Sequence, residues 1–198
     1  MILYRPVGLF EMLKILESRG KEFPPRLAEQ PIFYPVVNYE YAKQISEKWN
    51  TKDRLSGNVG FITEFEIDDT YISNYELHQV GNKEHIEYWI PSSELPEFNK
   101  HIIKNIVISN GFYGNNYAGI TPKGVTGFRE SDPEKQLSIL ESLLNSNYMD
   151  FSGTLSVEWE IANINYFLWK KSCDNKQLLD MIFTSLTKNR NCYIKDEC

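Results

Sequence analysis

With 198 residues, 41% hydrophobic and 14% aromatic, the chain is long and apolar enough to bury a substantial core, which excludes an intrinsically disordered protein. A net charge of −6 excludes a surface built to track a phosphate backbone, because nucleic-acid binding rests on Lys and Arg neutralising that charge. A cationic partner suits the balance better. No apolar run reaches the roughly 18 to 20 residues that span a bilayer, and "MILYRPVGLF" carries Arg5 inside its apolar stretch, so a soluble, cytoplasmic protein with no membrane association is expected.

In chain order, "ILYR" reads as a short strand broken by Pro6 and Gly8. It leads into "LFEMLKILESRG", where Leu9, Met12, Leu13, Ile15 and Leu16 recur at helical spacing and Gly20 suits a C-terminal cap. "KEFPPRLAEQP" is an extended loop, since the residue before each proline is pushed out of the helical region. "IFYPVV" is the next apolar segment. Asn38 is placed to cap a second helix, in which Tyr41, Ile45 and Trp49 are spaced by four.

"VGFITEFEI" alternates Phe61, Thr63, Phe65 and Ile67 with Gly60, Ile62, Glu64 and Glu66, which predicts a half-buried strand with a mostly polar outer face. "YELHQV", "HIEYWIP" and "KNIVIS" are further strand candidates. Strand following strand argues for an α+β class rather than a doubly wound parallel sheet. The expected organisation is an α+β domain over 1–112, a Gly- and Asn-rich connection over 113–132, and a helical C-terminal module over 133–198. In that module Asp132 and Pro133 mark a helix start. Val157, Ile161, Ile164 and Leu168 form one apolar stripe, and Leu178, Leu179, Ile182, Phe183 and Leu186 another.

Cys173, Cys192 and Cys198 lack paired spacing, which favours thiols in a reducing compartment over a disulfide or zinc site. His78, His85 and His101 have no helical i,i+4 register, so the metal case is weak. No phosphate-loop, GxSxG or HExxH motif occurs. Within "HIEYWIP", Glu87 is either a solvated strand residue or a carboxylate held at a pocket.

"LYRPVGL", "FPPR", "PIFYPVVNYEYAKQI", "WNTKD" and "IEYWIPSSELPEFN" resemble a small bacterial family labelled ADP-ribosylation/crystallin J1, over roughly residues 1–112. The order of these segments also resembles the ADP-ribosyltransferases: an early strand with Arg, a helix ending in Gly, an aromatic strand before another helix, and a late strand opening on a carboxylate. The resemblance implies an NAD- or ADP-ribose-binding scaffold on a mixed or antiparallel sheet, with NAD as cofactor and cleavage of the nicotinamide–ribose bond as its reaction. Glu87 and His85 would then be catalytic, Glu87 stabilising positive charge on the ribose. Arg5 would hold the pyrophosphate. Tyr34 or Trp89 would stack on nicotinamide. Two departures stand beside it: no Ser-Thr-Ser or Ser-x-Ser triplet follows Arg5, and His85 replaces the usual Gln or Glu.

The alternative is a non-enzymatic acidic binding protein, such as an immunity protein or antitoxin that neutralises a basic bacterial toxin, since opposite charge speeds encounter. Glu64, Glu66, Asp68 and Asp69 would be its docking face, or else only the soluble edge of a strand.

Overall fold

A computed structural model of the chain describes residues 1–195. The chain divides into two units: Met1–Asn115 together with the C-terminal segment from Tyr193, and Asn116–Cys192. The first is α+β and the second helical.

In the first unit, β1 (Ile2–Val7) pairs antiparallel with β3 (Val59–Glu66), which in turn pairs antiparallel with β7 (Val107–Tyr113). β1 runs through Pro6, which stands opposite Ile62 and does not end the strand as its missing N–H suggests. β7 continues to Tyr113, so "GFY" belongs to the sheet and not to the connection that follows. Ile194 adds a parallel bridge beside Ile108. The last described residues therefore complete the sheet unit, although composition assigned them to the helices.

β3 is central, and its first five residues are all buried. The expected polar outer face is confined to the half-buried Glu64 and Glu66, because α2 (Tyr39–Lys48) covers Gly60 and Ile62. On one face, α1 (Leu9–Glu17) buries Met12, Ile15 and Leu16, and Phe23, Phe33, Phe65 and Phe98 pack ring against ring at 4.9 to 5.9 Å. On the other, α2 places Tyr41 and Ala42 with Val36, Ile62 and Phe112. Asn38 caps α2 through its side chain, which accepts from Glu40 N–H at 2.8 Å. Trp49, the third member of the expected stripe, is 53% exposed because the helix ends before it.

β2 (Ile32–Phe33) pairs with β6 (Ile90–Pro91), and β4 (Leu77–Gln79) with β5 (Ile86–Tyr88). Between β5 and β1 lies Val36, bridging Tyr4 on one side and Glu87 on the other. Two short helices unread in the sequence, α3 (Asp69–Ile72) and α4 (Leu95–Lys100), bury Ile72, Leu95 and Phe98.

The second unit contains α5 (Pro133–Ser146), α6 (Tyr148–Val157), α7 (Trp159–Ser172) and α8 (Lys176–Lys188). Asp132 caps α5, accepting from Glu134 and Lys135 N–H. The long apolar pattern over 155–171 is interrupted at Glu158, whose carboxylate is 1% exposed and accepts from Lys123 N–H and the Thr126 hydroxyl. Gln136 donates to Ile120 and Glu130 carbonyls, and Tyr117 to Asn165 at 2.6 Å. The glycine-rich connection is thus tied down by buried polar side chains that satisfy its backbone.

α2 crosses β3 with Gly60 directly beneath it: a β-carbon there would lie 2.4 Å from the Ser46 carbonyl oxygen and 2.7 Å from Ser46 Cα. Backbone cannot yield as a side-chain tip can. Gly60→Ala is expected to lower unfolding free energy by about 1–3 kcal/mol, measured by urea denaturation, whereas Gly124→Ala, with open space around it but positive φ, tests backbone strain alone.

Candidate functional site

Residues directly opposite one another in antiparallel strands share a sheet face, and neighbours along a strand alternate. Tyr4, Val36, Glu87 and His78 form one such row across four segments, each the bridge partner of the next. Arg5, next to Tyr4 and opposite Thr63, therefore points to the other face. Arg5 and Glu87 do not converge.

Arg5 is 6% exposed and fully engaged. Its Nε and Nη2 donate to the two carboxylate oxygens of Glu11 at 2.8 and 3.3 Å, and Nη1 donates to the Tyr34 carbonyl at 3.3 Å. Its guanidinium carbon sits 4.5 Å from the Phe33 ring centroid. This planar fork ties β1 to α1 and to the chain after β2, an architectural task.

The other four candidates do gather on one face. Glu87 is 8% exposed, so it is not a solvated strand residue. Its Oε1 accepts from Trp89 Nε1–H at 2.8 Å and its Oε2 from the Tyr41 hydroxyl at 3.4 Å. Among the described residues, no Lys or Arg pairs with it. Burial, and then the adjacent Glu87 carboxylate, push the Tyr41 phenol above its ordinary range, which keeps it a donor near neutrality.

Trp89, 43% exposed, stacks on His78 at 4.2 Å and meets the edge of Tyr34, 39% exposed, at 6.2 Å. His85 does not touch Glu87. It stacks on Tyr41 at 4.2 Å, with Nε2 lying 3.2 Å from Gln44 Oε1. Sequence reasoning missed Tyr41 and His78 as members of this cluster; Tyr41 was visible only as one point on the α2 apolar stripe, and His78 carried no signal until its strand was paired.

The acidic run is neutralised within its own unit. Glu64 pairs with Lys195 and Glu66 with Lys104, each at 2.7 Å; Asp68 caps α3 through Thr70 and Tyr71 N–H; Asp69 meets the N-terminal amine. His101 stacks on Tyr71. No group of three or more metal-ligating side chains that could hold an ion occurs among the described residues. Nor does any described helix have the length and apolarity to cross a membrane. Cys173 and Cys192 are half-buried, and Cys198 lies outside the described residues.

Comparison with family models, with curated proteins and with solved structures yields no match.

Because Arg5 and Glu87 occupy opposite faces, Arg5→Met is expected to cost about 3 kcal/mol by leaving Glu11 short of its main partner, with only a small effect on the Trp89 indole N–H resonance, passed through the Tyr34 carbonyl that Arg5 holds. Glu87→Gln should move that resonance. A displacement by Arg5→Met as large as that by Glu87→Gln would contradict the assignment of Glu87 as the acceptor of the Trp89 N–H.

Proposed function

We propose that this chain is a non-catalytic binding protein that receives a Lys or Arg side chain of a basic protein partner at Glu87, beside the rings of Tyr34 and Trp89. One observation carries the reading: Glu87, a residue 8% exposed, is held by two neutral donors, is paired with no cation among the described residues, and lies beside two exposed aromatic rings, Tyr34 and Trp89. Two donors leave part of its acceptor capacity unused. A buried charge without its counter-charge is costly, and an arriving cation relieves that cost. Half-exposed Trp and Tyr beside it supply cation–π contact and the rigid apolar area typical of docking hot spots.

The net charge of −6 supplies long-range attraction for a basic partner. A cytoplasmic immunity protein or antitoxin against a basic toxin fits this chemistry. The docking centre is then the Glu87 cluster, not the acidic run, whose carboxylates are already engaged.

The gathering of Glu87, Tyr34 and Trp89 also favours a second reading, NAD or ADP-ribose binding, with the cationic nicotinamide ring against an aromatic face and Glu87 near the ribose. In that case Arg5 is spent on Glu11, and the pyrophosphate needs another donor.

Two titrations separate the readings. A blocked Ser-Arg-Ser peptide should perturb the Trp89 indole resonance, its citrulline counterpart should not, and Glu87→Gln should weaken the response at least about tenfold. Equal responses to the two peptides would remove the basic-partner reading. NAD at millimolar concentration should leave the melting temperature unchanged; a rise that disappears in Glu87→Gln would instead establish the nucleotide reading.

A further inference from the structure

On the face of the sheet unit that carries α1, a groove of about 500 Å³ is walled by Phe10, Pro25, Leu27 and Leu55. Phe10 and Leu27 are each 60% exposed and Leu55 85%. Three large apolar side chains left in water around one hollow form a patch of the kind that marks an interaction site.

The charge at the base of this groove is unevenly satisfied. Arg5 takes both oxygens of Glu11, the nearer at 2.8 Å, and Arg26 reaches the same carboxylate only through Nη1 at 3.5 Å. The Arg26 side chain is 12% exposed, and its Nε is buried without a hydrogen-bond partner. Two guanidiniums thus share one carboxylate. Burial and the neighbouring Arg5 charge both lower the Arg26 pKa, the direction expected for a cation short of counter-charge. The other charged groups on the walls are already used: Lys14 pairs with Glu17 at 2.7 Å, and Asp53 accepts from Leu55 N–H and the Ser56 hydroxyl.

We infer that this groove docks an extended segment of a protein partner that carries an Asp or Glu between aliphatic side chains, its carboxylate meeting Arg26 and its aliphatic groups lying on Phe10, Leu27 and Leu55. Charge complementarity selects the acidic residue, because a guanidinium presents several donors in a plane and carboxylate oxygens match them. The apolar walls select its neighbours. Glu87 lies on the opposite sheet face and does not line this groove, although Arg5 links Glu11 here to the Tyr34 carbonyl.

The test uses the full chain and an acetylated, amidated Ser-Leu-Glu-Leu-Ser peptide, followed by amide NMR. Saturable shifts are expected at Phe10, Leu27 and Leu55, with at least about tenfold weaker binding of the Gln counterpart. Arg26→Gln should erase the preference for Glu over Gln. Leu55→Ser, at an exposed position where folding is not at stake, should weaken both peptides at least threefold, and Glu87→Gln should change neither. Equal affinity for the two peptides would overturn the inference, as would a response to inorganic phosphate as strong as the peptide's, which would mark an anion site without peptide recognition.

Discussion

The strict alternation of side chains along paired strands is the constraint on which the sheet unit depends. The row Tyr4, Val36, Glu87, His78 commits every second residue of four linked segments to the α2 side, and the residues between them to the opposite side. A slip of one residue would exchange the two sets. It would carry Arg5 out of reach of Glu11 and lift Glu87 away from Tyr41. The separation of the unit into two chemically distinct faces follows from pairing alone, before any ligand is considered.

Burial of charge then distinguishes architecture from recognition. Arg5 has a bidentate partner, a carbonyl and an aromatic face, and Glu158 in the helical unit accepts from a backbone N–H and a hydroxyl. Such groups hold the fold, and their removal leaves an uncompensated partner behind. Glu87 and Arg26 differ. Glu87 has only neutral donors, as Glu158 does, but lies beside exposed aromatic rings, and Arg26 shares its carboxylate with Arg5 beside exposed apolar side chains. Opposite charges on opposite faces suit the two different contacts proposed for them.

The helical unit applies the same logic to backbone instead of ligand. A connection with Gly119 and Gly124 at positive φ has little intrinsic preference for one path, yet Gln136, Glu158 and Asn165 accept from or donate to it and to one another at fixed points. Buried polar side chains on helices thereby select one conformation from many. This is also why a continuous apolar pattern yields two helices: the break at Glu158 turns its carboxylate toward the loop it secures.

The α+β class, the caps at Asn38 and Asp132, a helix from Leu9, read as far as Gly20 but ending at Glu17, and the apolar stripe of Leu178, Leu179, Ile182, Phe183 and Leu186, of which Phe183 is only half-buried, were legible in the sequence, because propensity, capping and periodicity act over a few neighbouring residues. Tertiary structure alone decided that the first five residues of β3 are covered on both faces and that Lys195 and Lys104 pair with Glu64 and Glu66. It alone sent Arg5 to Glu11 while Glu87 met Trp89 and Tyr41. Each of these depends on which distant segments pair and in which register, and no local period encodes the partner a charge will find once water has been excluded.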